Sequence, residues 1–208
     1  NAIATVVSTR VLTPGKAVIL AATMNFVGAI SGTAVAKVVG SGIVDPEVIS
    51  LVTVAAGVAA AALWVLLASR LGLPVSGSHS LIAGIAGAAI ATAGFDALLD
   101  TGVRKVTMGL VFSLGLGFSG GYLIMLILYW LFRKATPTVV NSIFGRLQLV
   151  SAAAMAFSHG SNDAQKTMGV IALALFVSGR IDEFYIPIWV ILLSATVMGL
   201  GTYAGGWR

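Results

Sequence analysis

The run MAFSHGSNDAQKTMG, residues 155–169, sets His159, Asn162, Asp163, Gln165 and Lys166 between the apolar stretches LQLVSAAAMAF and VIALALF. An ionised carboxylate at the centre of a membrane helix costs about 2.5 to 3.5 kcal/mol on insertion scales, so Asp163 needs a partner or water. Lys166 stands three residues on and can share its helical face. One reading is therefore an internal ion pair that merely tolerates burial. The other is a cation site, because Asn162 and Asp163 supply the oxygen donors that a hard cation such as Na⁺ takes. Gly160 is then expected to let the helix open and free carbonyls for the same ion. Ser158, His159, Ser161, Gln165 and Lys166 are possible supporting residues.

A second polar cluster, Ser76-Gly77-Ser78-His79-Ser80, follows Pro74 and starts an apolar run. Unpaired N–H groups at a helix start are partly positive. With hydroxyls beside them and a glycine that permits close approach, they can cradle an oxyanion. The plainer reading is a helix cap, with Ser76 or Ser78 as the N-cap. His79 and His159 lack the cysteines or paired carboxylates of a zinc site, and packing or hydrogen bonding accounts for each of them. Asn25, a lone amide among small residues, suits a helix–helix hydrogen bond as well as a ligand role. A Ser78–His159 hydrolytic dyad would also need an oxyanion hole and close geometry, which no spacing in the sequence implies. We read the protein as not an enzyme, with no cofactor.

These residues need a membrane scaffold. Only 9% of the 208 residues are charged and 58% are hydrophobic, against about 25% charged in soluble domains. Residues 17–36, 48–69, 71–95, 106–132 and 184–207 contain no Asp, Glu, Lys or Arg. Each approaches or exceeds the roughly 20 residues that cross about 30 Å of hydrocarbon as a helix. The expected class is all-α, a polytopic transmembrane helical bundle, with segments at 1–12, 16–39, 47–71, 75–92, 106–132, 147–177 and 186–206. Segments 47–71 and 75–92 form a helical hairpin with its tip near 74–80; they either span fully or meet as a re-entrant pair. Gly28, Gly32, Ala36 and Gly40 recur every four residues, a small-residue stripe for close helix packing.

The net charge of +5 belongs to short loops rather than to a nucleic-acid surface. Arg10 and Lys16, then Arg133, Lys134 and Arg146, then Arg208, gather on one side. Lys37, Asp45, Glu47, Asp96, Asp100, Arg104, Lys105, Arg180, Asp182 and Glu183 fall on the other. The basic side is assigned to the cytoplasm. With no cysteine, disulfides and thiolate metal sites are excluded. The chain opens on Asn1 inside an apolar run and closes at Trp207-Arg208, and we read it as part of a longer polypeptide. NAIATVVSTR and KTMGVIALALFVSGR are weakly alike and point in opposite directions through the membrane. That pattern suggests an inverted repeat.

AFSHGSNDAQKTMG resembles the second signature of the inorganic phosphate transporter family, built around Gly-(Ala/Ser)-Asn-Asp. NAIATVVSTRVLTPGKA is similar to the tail of the first copy of that signature, with Asn1 matching Lys166. LPVSGSHSLIAGIAGA resembles the family's Pro-Val-Ser-Thr-Thr-His hairpin tip, and GTAVAKVVGSGIVDP fits the family between them. The resemblance implies a secondary transporter of two inverted repeats that carries phosphate by cation symport, with Na⁺ or H⁺ as the coupling ion. It implies that Ser76, Gly77, Ser78, Asn162 and Asp163 hold substrate, and that Asn1, Asn162 and Asp163 meet the cation, with Na⁺ at Asn162 and Asp163. On this reading residues 1–105 are most of the first repeat, 106–146 a connecting span and basic cytoplasmic loop, and 147–208 the start of the second. The tip reads Ser-Gly-Ser-His where the family often has Ser-Thr-Thr-His, so sulfate stands as the alternative substrate. A passive channel or structural bundle is the alternative from another class. A multi-pass protein of a prokaryotic inner or plasma membrane is expected, with a homodimer as a candidate assembly.

Overall fold

A computed structural model describes residues 3–205, so Asn1, a candidate cation ligand, lies outside the described residues. The described chain is helical, and its extended pairing is limited to one isolated bridge between Val44 and Leu98. The helices are α1 (Ala4–Ser8), α2 (Pro14–Ile30), α3 (Ala34–Ser41), α4 (Leu51–Arg70), α5 (Gly77–Ala93), α6 (Asp100–Phe132), α7 (Pro137–Val177) and α8 (Ile188–Gly205). A short 3₁₀ turn at Phe95–Ala97 precedes α6.

Three expectations need correction. The stretch 16–39 is not one straight span, because α2 and α3 bend by 67° at Ser31–Thr33. Ser31 folds back there, its Oγ donating to the Gly28 carbonyl at 2.7 Å, and Gly32 offers little resistance to the break. The basic stretch 133–146 is not all loop. Pro137, with its preset φ, starts α7 there, and the helix runs on through Arg146. Finally, α7 stays helical across Gly160 rather than opening. Its small residue serves packing instead: a Cβ at Gly160 would overlap the Asn25 main chain, and one at Gly28 would overlap Phe157. These two glycines let α2 and α7 cross almost backbone to backbone.

The small-residue stripe continues this contact. Gly169 of α7 meets the main chain of Ala36, and Gly40 meets Gly169 and Phe184. Around it lies an apolar cluster of Val39, Ile43, Val44, Val54, Ile85 and Leu173. A second cluster, with Ala29, Met168 and Val190, seats α8 on α2 and α7.

The α4–α5 pair is tied at its base. Asp45 N–H donates to the Ala97 carbonyl and Leu99 N–H to that of Ile43, both at 2.9 Å. Ser50 and Thr53 cap α4 reciprocally. At the other end Gly72, with φ at +68°, lets the chain leave α4 through a Leu73 N–H to Ala68 carbonyl bond of 2.9 Å. The tip reaches α7 at Asp163, which lies 17 residues from both Arg146 and Arg180. Asp163 thus sits well inside α7, about 21 Å of helix from its end at Val177. The pair is a helical hairpin, and α4 is long and apolar enough to cross a membrane. Its base packs near Leu173 and Val177, whereas Thr9 bonds Gln148 on the opposite half of α7. Arg10 and Asp45 thus lie toward opposite ends of α7, as the loop charges require.

Helix α6 touches the rest at its ends, through Gly102 against Gly42 and through Phe132 edge-on to Phe144 at 5.1 Å. Between them Leu114, Leu116 and Phe118 are exposed, as suits a lipid-facing helix.

Gly160→Leu should lower the melting temperature of the purified protein by the equivalent of about 1 to 3 kcal/mol, as overpacking does. Gly87→Leu, where a Cβ meets no neighbour within 4 Å, is the control and should leave it nearly unchanged.

Candidate functional site

Three elements converge at the middle of α7. Asp163 projects from α7 toward the first turn of α5, where Ser78 Oγ donates to Asp163 Oδ1 at 3.1 Å. Lys166 reaches the same two groups. Its Nζ donates to Asp163 Oδ1 at 2.9 Å and to Ser78 Oγ at 2.6 Å. Ammonium, carboxylate and hydroxyl thus form a closed triangle in which every donor meets an acceptor. Of the two sequence readings of Asp163, the ion pair with Lys166 is present, and the pair stands against the serine-rich tip.

The other carboxylate oxygen faces His159, whose Nε2 lies 3.4 Å from Asp163 Oδ2. Nδ1 of the same ring is 2.8 Å from Asn25 Oδ1 on α2. Asn25 is buried and its Nδ2 donates to the Ala21 carbonyl at 2.9 Å, so its oxygen is the acceptor for the imidazole. The polar chain Asn25–His159–Asp163–Lys166–Ser78 joins α2, α7 and the hairpin tip. Of the two roles open to Asn25, the structure assigns the helix–helix bond.

Other candidates point elsewhere. Asn162 is exposed and turns back on its own helix, its Nδ2 donating to the Ser158 carbonyl at 2.8 Å. In an unbroken α-helix neighbouring side chains diverge by about 100°, so Asn162 and Asp163 do not face one point. Ser76 Oγ caps α5 by accepting from His79 N–H at 3.3 Å, and Ser80 Oγ donates to the Ser76 carbonyl at 2.8 Å. Ser76, His79 and Ser80 line a cleft of about 540 Å³ beside Trp64, on the face of the hairpin away from Asp163. Gly77 leaves open space at the helix start.

Gln165 has a role that its residue type did not announce. It is buried, and its Oε1 accepts from Val35 N–H at 3.0 Å while its Nε2 donates to Ser161 Oγ at 3.3 Å. Val35 is in the first turn of α3, where the break after α2 leaves amides without helical partners. Gln165 thus supplies from α7 the cap that α3 lacks in its own sequence. The signal was present in the bend-prone Ser31-Gly32-Thr33, read with an amide four residues past Ser161. Arg70 was also passed over. As the last residue of α4, ahead of Leu71-Gly72-Leu73-Pro74, it puts a positive charge at the hairpin tip.

Asp163 opens onto a cleft of about 780 Å³ between α7 and α8, whose polar lining includes His159, Thr167, Ser194 and Thr202. The Asp163 side chain is 41% exposed, so a guest entering the cleft can reach it. Ser194 Oγ, buried in the same wall, has no hydrogen-bond partner among the described residues.

The Phosphate transporter family model matches residues 1–208. A probable low-affinity inorganic phosphate transporter of Rhizobium meliloti is 44% identical over 210 residues, covering all of this chain and 63% of the relative. One of Bacillus subtilis, with the same description, is 44% identical over 211 residues, again covering 63% of its length. The chain therefore spans 63% of the length of these curated relatives. A solved structure described as the sodium-dependent phosphate transporter superposes with a TM-score of 0.76 at 20% identity, over 98% of this chain and 69% of that one. At that identity the likeness is one of fold.

Gln165→Leu should leave Val35 N–H buried without an acceptor and destabilise the protein by about 1 to 3 kcal/mol. Hydrogen exchange should then rise at residues 34–37 before it rises in α7. Unchanged protection at α3 would contradict the capping role.

Proposed function

The chain belongs to the phosphate transporter family, and on that footing we propose that it forms part of a symporter carrying inorganic phosphate across a membrane with Na⁺ or H⁺. Family membership places it among transporters rather than enzymes, and its apolar helices make it an integral multi-pass membrane protein. The observation that carries the reading is the meeting of Asp163 with Ser78 at the tip of the α4–α5 hairpin.

The physics of coupling follows from that contact. An oxyanion received by Ser78 Oγ and the free N–H groups of Gly77 and Ser78, with Ser76 holding the turn, arrives beside the Asp163 carboxylate. Lys166 Nζ, in reach of both Ser78 and Asp163, already offsets the carboxylate charge there. A coupling cation that satisfies the carboxylate frees that ammonium for the anion, so anion and cation favour each other's binding by the same factor. Asn1 would be a further oxygen donor for the cation site, whereas Asn162 bonds to Ser158 on its own helix. Alternating access would follow from rocking one inverted repeat against the other. Residues 1–105 make up most of the first repeat, 106–146 the connection, and 147–208 the start of the second.

The descriptions of the bacterial relatives support phosphate over sulfate, and a plasma membrane as the location. The sodium-dependent neighbour supports Na⁺ as a candidate ion. The exposed mid-section of α6 offers a face for a homodimer.

The full-length protein in liposomes should accumulate labelled phosphate against its gradient when a Na⁺ or proton gradient is imposed, and excess sulfate should compete weakly. Equilibration without accumulation would mean a channel, and preferred uptake of sulfate would mean a sulfate permease. Ser78→Ala should slow uptake by about tenfold or more, the loss expected for one hydrogen bond to a charged group. Asp163→Asn should abolish the dependence of uptake on the ion gradient, and survival of that dependence would remove Asp163 from the cation site.

A further inference from the structure

We propose that Lys166 is a tethered cation: its ammonium fills the position at Asp163 that a free Na⁺ would take, so this carboxylate does not accept Na⁺ while Lys166 is present. The inference rests on the reading of Asp163 as the cation-facing group and deepens it by naming the ion this position refuses.

The geometry carries the claim. Lys166 Nζ stands at 2.9 Å from Asp163 Oδ1 and 2.6 Å from Ser78 Oγ, touching the two oxygens that would be a cation's nearest ligands. Ser78 donates its own proton to the same carboxylate oxygen, so its hydroxyl is turned to serve the ammonium rather than a metal ion. The second oxygen, Oδ2, faces the His159 ring nitrogen at 3.4 Å. A hard cation needs several oxygen donors around it. Here the groups around the carboxylate are an ammonium, an imidazole and one hydroxyl already in use, and Asn162, the nearest amide in sequence, bonds to Ser158 instead. Among the described residues no group of three His, Cys, Asp or Glu side chains gathers to hold a metal ion.

Charge leads to the same conclusion. With its side chain 19% exposed, Lys166 is largely withdrawn from solvent and cannot leave Asp163 for bulk water without cost. Adding Na⁺ beside it would put two positive charges on one carboxylate. The internal match sharpens the point. The position that corresponds to Lys166 in NAIATVVSTR is Asn1, an uncharged oxygen donor. The two matched positions are therefore unequal in charge, and Lys166→Asn makes them alike.

The test is equilibrium binding of radiolabelled Na⁺ to the purified full-length protein. The wild type and Lys166→Arg should show no Na⁺ binding that disappears on Asp163→Asn. Lys166→Asn should bind Na⁺ at least about tenfold more tightly than the wild type, and adding Asp163→Asn to it should abolish the gain. Equal affinity in the wild type and Lys166→Asn would overturn the proposal. So would Asp163-dependent Na⁺ binding with Lys166 intact. Should Lys166→Asn fail to give a cooperative melting curve, the comparison of wild type with Asp163→Asn still decides between the two. Phosphate uptake is measured separately: its absence would defeat the transport reading and leave the Na⁺ result standing.

Discussion

The carboxylate of Asp163 cannot lie at mid-membrane without partners, and meeting that need organises the centre of the molecule. Ser78 comes from the hairpin tip, Lys166 from the next helical turn, and His159 from the turn before, backed by Asn25 across the interface. Lys166 and His159 come from α7 itself, whereas Ser78 and Asn25 need the hairpin and α2 held in place against it.

Backbone proximity makes the arrangement possible. Gly28 and Gly160 bring α2 and α7 so close that Asn25 can meet a histidine whose other nitrogen already faces Asp163. Past the 67° bend α3 still packs on α7, with Gly169 against the Ala36 main chain. The break exposes an amide, and α7 answers it with Gln165. One helix thus provides both the charged centre and the cap for its bent neighbour.

The paired Asp163 and Lys166 form a neutral unit, which lowers the cost of keeping either group in hydrocarbon. Neutrality also makes the site responsive. Any anion that attracts the ammonium loosens its hold on the carboxylate, and any cation that satisfies the carboxylate frees the ammonium for an anion. Exposure of Asp163 to the α7–α8 cleft gives such guests a route in.

Much of this was legible in the sequence. The uncharged runs identified a membrane bundle because no soluble core could use so few charges. SHGSNDAQK and PVSGSHS stood out because polar residues are costly there. The loop charges gave a sidedness that agrees with the positions of Arg10 and Asp45 at opposite ends of α7. Composition could not reveal the bend after Ile30, the helical continuation through Arg146 or the closed helix at Gly160, since glycine permits opening, bending and close packing alike. Nor could it separate the ion pair from the ligand site at Asp163, or Ser78 from Ser76. Those outcomes depend on which backbone lies alongside, and that is decided only when helices far apart in the chain pack together. Residue type determined which groups needed partners in oil; tertiary packing decided which partners came within reach.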